Sequence, residues 1–277
     1  MMDENQSFEE LLFQAREVGE DEDLYWDIVD VLQARGDRKT LKETFESTYG
    51  DALERQFAAD VLGRFSESVP TYQANPAFKV EIVTRLLEML SIENEVKIVV
   101  SLAAALGHYE EEPRIFEAFL QLANHSDCRI RWHVAVGLAN YQKAQAIELL
   151  IQLTEDADEL VRDWATFGLN GRVDIDSPAV RAAFVARLDD GDAHTRAEAL
   201  YGLAELHDPR VVPAILREFE GSNGAPKLFD LVEDTPDYRL LPALCEMAQD
   251  AEYKGDAEEL QAAIAACEAH CEESNEN

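Results

Sequence analysis

The sequence predicts an all-α fold, an α-solenoid of antiparallel helix pairs, and three observations carry that prediction. A degenerate repeat returns at near-constant spacing, successive repeats are separated by a second apolar helix pattern, and no alternating strand pattern competes. Composition agrees. Only 13 of the 277 residues are Gly, while Ala, Leu and Glu abound, the bias of a chain made of helices.

The clearest copies of the repeat are Asp127-Cys-Arg-Ile-Arg131-Trp-His-Val-Ala-Val-Gly-Leu138, Asp158-Glu-Leu-Val-Arg162-Asp-Trp-Ala-Thr-Phe-Gly-Leu169 and Asp192-Ala-His-Thr-Arg196-Ala-Glu-Ala-Leu-Tyr-Gly-Leu203. With the arginine at position 0, Asp stands at −4, small or apolar residues at +3 and +4, and Gly-Leu at +6 and +7. Asp51 with Arg55, Ala58, Ala59 and Leu62 is a fourth copy, and Glu93 with Lys97, Val100, Ser101 and Ala104 a looser fifth. Weaker copies are set at Leu24 and Lys227, and the last helix offers another near Glu259. Most anchors lie 31 to 34 residues apart; the 42-residue gap between Arg55 and Lys97 holds an extra segment, Ser66–Asn75.

Each element has a reason to form. The Asp at −4 suits a helix N-cap, where its carboxylate accepts free backbone N–H groups at the positive end of the helix dipole. Between the anchors run the apolar stretches Phe78–Leu90, Ile147–Leu153 and Val211–Leu216. Several second helices open on Pro (Asn75-Pro76, Ser177-Pro178, Asp208-Pro209, Thr235-Pro236), which suits a first turn because its missing N–H would have no partner there. The expected layout is one solenoid domain over 1–277, with recognisable repeats over 20–235. An N-terminal capping helix covers 1–19, and a degenerate capping repeat with an acidic tail covers 236–277.

Charge narrows the function. Against 57 Asp and Glu stand 24 Lys and Arg, a formal charge of −33, which argues against nucleic acid and anionic membranes as partners. Because 47% of residues are hydrophobic, the chain is no disordered acidic tail. The start MMDENQSFEE shows no secretory signal, no apolar run approaches a membrane span, and four scattered cysteines make no disulfide scaffold, so a cytoplasmic protein is expected. The acidity has two readings, complementarity to a basic partner or plain solubility and high-salt habitat. The terminal segments concentrate it, with nine acids and one base in residues 1–24, which favours solvated caps.

The pattern Asp-x-x-x-Arg-x-x-Ala-x-x-Gly-Leu resembles HEAT repeats of the phycobiliprotein-lyase-like type. Segments such as Val161–Leu169 and Asp208-Pro-Arg-Val-Val-Pro resemble bacterial HEAT-repeat proteins encoded beside Rhs-type polymorphic toxins. The resemblance implies a right-handed HEAT/armadillo-type superhelix whose arginine-led helices line the concave face. It also implies an Asp–Arg ladder between neighbouring repeats, here Asp51, Arg55, Asp127, Arg131, Asp158, Arg162, Asp192 and Arg196. That ladder is structural.

On a helical wheel, +3, +4, +7 and +10 cluster on the buried side, and +2, +5 and +9 fall opposite. With the implied orientation, +2 and +5 put Trp26, Phe57, Asp60, His133, Trp164, Phe167, Glu198 and Tyr201 on the concave face, joined by Glu205 at +9. Aromatics rimmed by acids suit a protein-binding groove, since buried aromatic anchors supply much of interface energy. Rings that merely fill gaps between adjacent inner helices are the bland alternative.

Catalytic motifs are lacking. There is no Gly-x-Ser-x-Gly elbow, no phosphate loop and no dinucleotide Gly-x-Gly-x-x-Gly. None of the six histidines precedes a Glu, as the di-iron members of this repeat class require. Cys267, His270 and Cys271 could share a helix side with Cys245 nearby, a weak zinc pattern set below a core-facing reading. No cofactor or metal is expected. The sequence thus reads as a non-catalytic scaffold that binds another protein along its concave face, in its sharper form an immunity protein occluding a toxin domain. The alternative is a bilin-lyase-like enzyme that handles a small ligand.

Overall fold

A computed structural model describes residues 6–19, 21–68, 76–109, 112–170, 176–220, 228–250 and 256–275, and every regular element among them is helical. The fold is an α-solenoid of helix pairs, divided into two compact units, residues 1–149 and 150–277.

In the first unit the helices are α1 (Phe8–Glu17), α2 (Glu22–Arg35), α3 (Arg38–Ser47), α4 (Ala52–Ser68), α5 (Pro76–Ile92), α6 (Val96–Gly107), α7 (Pro113–Leu122) and α8 (Cys128–Leu138). Helices α2, α4, α6 and α8 pack in succession as an inner row, and α3, α5 and α7 each lie against the helix that follows. Helix α9 (Ala144–Leu153) spans the junction of the units. The second unit continues with α10 (Glu159–Leu169), α11 (Pro178–Arg187), α12 (Ala193–Glu205), α13 (Val211–Glu220) and α14 (Leu228–Asp234). A 3₁₀ turn (Tyr238–Leu240), α15 (Leu241–Gln249) and α16 (Ala257–Asn275) complete it. Its inner row is α10, α12, α14 and α16.

Acidic caps set where the inner helices begin. Asp127, Asp158 and Asp192 are the N-caps of α8, α10 and α12, and each side chain accepts backbone N–H bonds from the first turn. Asp51 does the same for the Glu54 N–H while the Glu54 carboxylate accepts the Asp51 N–H, a reciprocal cap. The caps also correct the repeat register at two weak copies. Asp21 caps α2 and Glu95 precedes α6, so position 0 falls on Tyr25 and Val99, and not on Leu24 and Lys97. Lys227 and residues 69–75 of the extra segment lie outside the described residues.

Corrected in this way, the repeat explains the small residues. A Cβ on Gly63, at +8 of its repeat, would stand 2.7 Å from the Cα of Ala105, at +6 of the next. A Cβ on Gly107 at +8 would approach the Gly137 Cα at +6 to 3.6 Å, and one on Gly202 at +6 would stand 2.5 Å from the Asn170 side chain at +8. Inner helices therefore cross where +8 of one meets +6 of the next, and at Gly63 and Gly202 the approach leaves no room for a side chain on the glycine.

The ladder differs from the expected one. Each arginine at position 0 reaches back to carbonyls of its own entry turn: Arg162 to Asp156 and Ala157, Arg196 to Asp190 and Gly191, Arg131 to His125 and Ser126, Arg55 to Gly50. In Arg55, Arg162 and Arg196 the remaining donors meet an acid that lies beyond the arginine's own helix. Arg55 pairs with Glu93 at 2.9 Å, Arg162 is bidentate to Asp190 at 2.8 Å, and Arg196 meets Glu218 at 2.8 Å. Glu93 and Asp190 stand at −6 of the following repeat, and their carboxylates also accept the N–H of the capping residues Glu95 and Asp192. The −4 aspartates are thus occupied with capping their own helices, and other acids make the rungs, Glu93 and Asp190 at −6 and Glu218 near the end of α13. Burial pushes both carboxyls up, yet both lie below the usual range, Asp190 through Arg162 and Glu93 through the N–H groups of Glu95 and Asn94 followed by Arg55.

Candidate functional site

In the first unit the inner row leaves a cavity of about 590 Å³. Its floor is open because α4 and α6 present Gly63, Ser101, Ala104 and Ala105 there, where larger side chains would fill the space. One end is walled by Tyr25 and Trp26 of α2, the other by Trp132 and His133 of α8. Lys97 and Arg129 stand at its rim on the entry turns of α6 and α8, and Arg64 and His108 at the opposite ends of α4 and α6.

Asp60 lines this cavity and is 7% exposed. The Tyr25 hydroxyl donates to its Oδ2 at 2.7 Å, and Ser101 also hydrogen-bonds to the carboxylate. Burial pushes the Asp60 pKa up to about 6 against the lowering effect of those two donors and of the Arg64 charge. Desolvation, with the Asp60 charge second, drives the Tyr25 hydroxyl far above its ordinary value. His133 packs at a tilt against Trp132 with centroids 4.4 Å apart, and burial followed by His108 lowers its pKa to about 4, so it is neutral at physiological pH. Two of the rim cations are already engaged: Arg64 lies 4.8 Å over the Trp26 ring and pairs with Asp30, and Arg129 pairs with Asp127.

The expected groove residues separate into three sets. Trp26, Asp60 and His133 meet around this cavity. Phe57 does not. It is 0% exposed and packs on Phe8 and Tyr25, because α1 covers α4 at that point and takes its +2 position into the core. The remaining five lie in the second unit. Trp164 and Phe167 pack edge to face on α10 at 5.4 Å, with Phe167 49% exposed and Leu160 exposed one helical repeat away on the same side. On α12, Glu198 receives the Asn170 amide, and Glu205 is exposed at the end of the helix. Tyr201 is half-buried, and desolvation together with Asp230, Asp234 and Glu198 raises its pKa to about 12.

The wheel missed Tyr25, Trp132, Ser101 and Lys97 as cavity residues. The signal that finds them is the cap: counting from Asp21 and Glu95 moves Trp26 to +1, beside Gln56 and Trp132 at the same position. Among the described residues no three His, Cys, Asp or Glu side chains form a group that could hold a metal. Cys267 is buried, Cys245 half-buried, and the side chain of Cys271 lies outside the described residues.

Residues 83–170 match the family of HEAT repeats, and residues 195–220 match the PBS lyase HEAT-like repeat. Both matches support repeats of the HEAT type within those residues. Protein YibA of Escherichia coli, from strain K12 and from O157:H7, is 29% identical over 148 residues, which is 53% of this chain and 51% of either relative. In those alignments the chain spans about half the length of the curated relatives it matches. The X-ray structure of Escherichia coli YibA superposes with a TM-score of 0.69 at 21% identity, covering 96% of this chain and 93% of that one, a likeness of fold. No helix among the described residues is long and apolar enough to cross a membrane.

Proposed function

We propose that this HEAT-repeat protein is a non-catalytic scaffold that binds another protein through its inner helices. The observation that carries the proposal is the row Leu160, Trp164 and Phe167 on α10, an apolar face on an inner helix where a solvated helix would carry charge. Tyr201, Glu198 and Glu205 of α12 add an aromatic and acids suited to a basic rim on the partner. The finer reading is occlusion of a cationic toxin domain by an immunity protein; the resemblance to proteins encoded beside Rhs-type toxins and the charge of −33 support it. Affinity capture from the native host tests the scaffold. Wild type and a control at the exposed Glu148 of α9, Glu148→Ala, should retain one partner that Trp164→Ala with Phe167→Ala loses by at least tenfold. Equal retention by all three sinks the assignment.

A second reading has its own observation. The cavity beside the buried Asp60 carboxylate is of a size for a small molecule, as a bilin-lyase-like protein would require. An absorbance shift on mixing with bilins would support it, and an unchanged spectrum would dismiss it.

A further inference from the structure

We propose that the cavity of the first unit receives a single arginine side chain of a protein partner, with the Asp60 carboxylate as its floor. This deepens the protein-binding reading above and rests on it. A carboxylate buried in an open cavity costs the unliganded protein stability, and a cation arriving beside it recovers that cost. Tyr25 and Ser101 supply two hydrogen bonds to Asp60, which leaves lone pairs for the parallel N–H donors of a guanidinium.

The walls suit the same group. A guanidinium is flat, stacks on aromatic faces and gives up its hydration more easily than an ammonium. Trp26 already carries one, Arg64, at 4.8 Å, and Trp132 walls the opposite end. The local charge also favours a cation. Arg64 and Arg129 are neutralised by Asp30 and Asp127, so Lys97 stands exposed against Asp21, Glu22 and Asp60. The small residues Ser101, Ala104 and Gly63 leave the depth that a long side chain needs.

Binding should be linked to a proton. Asp60 is half protonated near pH 6 in the free protein, and a bound guanidinium holds it ionised, so affinity should rise about tenfold from pH 5 to pH 7. The other groups around the cavity are Tyr25, Asp21 and Glu22 on the α2 side, Arg64 on α4, Lys97 and His108 on α6, and Arg129 and His133 on α8. All of them are retained in Asp60→Asn, so a pH dependence that disappears in that variant belongs to Asp60.

The chain has three tryptophans, and two line the cavity, which makes the indole N–H signals of the ¹⁵N-labelled full chain a direct readout. The probe is acetyl-Gly-Gly-Arg-Gly-Gly-amide, with the citrulline peptide as its uncharged isostere. Trp26 and Trp132 signals should move with the arginine peptide while Trp164 stays. The citrulline peptide should need at least tenfold more, and Asp60→Asn should abolish the preference. The proposal is overturned if Trp26 and Trp132 do not move, or if the wild-type protein treats the two peptides alike. That second comparison needs no variant to fold. Partner capture that depends on Trp164 and Phe167 without any arginine-peptide response removes the pocket and leaves the scaffold reading standing. Peptide binding without such capture removes the α10 anchors alone.

Discussion

Asp60 concentrates the chemistry of the first unit in one side chain. Its folded pKa, about 6, lies above the unfolded aspartate value, so its proton stabilises the fold fully below about pH 4. That contribution is lost as pH rises through 6. Asp60→Asn should therefore gain about 1–2 kcal/mol over wild type in urea unfolding at pH 7.5, and the gain should vanish by pH 4. A variant less stable than wild type at both pH values would show that the carboxylate is held by more than its two donors. The same substitution should end recognition of arginine, a trade of stability against function at one residue. Asp60 was legible as an inward residue from its place in the repeat. Its burial was not, since that depends on Tyr25 and Ser101 arriving from helices on either side.

At the scale of the helix, the arginine-bearing copies could be read because their caps and arginines coincide in spacing. Asp127, Asp158 and Asp192 begin α8, α10 and α12 where the repeat places them. Copies without an arginine slipped by one or two residues, which turns the helix by 100° to 200° on the wheel and exchanges its faces. Phe57 fails for another reason. Its register is right, but α1 covers it, and no periodicity within a single helix reports what packs on top. The rung role was hidden, for the sequence sets Glu93 at −4 of its copy and leaves Asp190 outside the pattern, and both precede their helices where no amphipathic pattern reaches. The +6 to +8 crossing yields a sharp prediction. Gly63→Ala forces a methyl to 2.7 Å from the Ala105 backbone and should cost about 1–3 kcal/mol by denaturant unfolding, although Ala is the better helix former. Gly191→Ala, where no atom lies within 4 Å, should stay within about 0.5 kcal/mol of wild type.

For the whole molecule, the charge of −33 has two consequences with different signs. Self-repulsion destabilises the fold, so Tm should rise by several degrees between 0.05 and 0.5 M NaCl as screening shortens its reach. A Tm that falls instead would mean that the Arg–acid rungs outweigh the repulsion. The same field would speed the approach of the cationic partner proposed above, whose association rate should drop over that salt range. Hydrogen–deuterium exchange of the full chain with its captured partner tests binding through the inner helices most directly. Protection should rise in residues 159–169 and 193–205 while the outer helix 178–187 is unchanged; protection confined to 178–187 would contradict it.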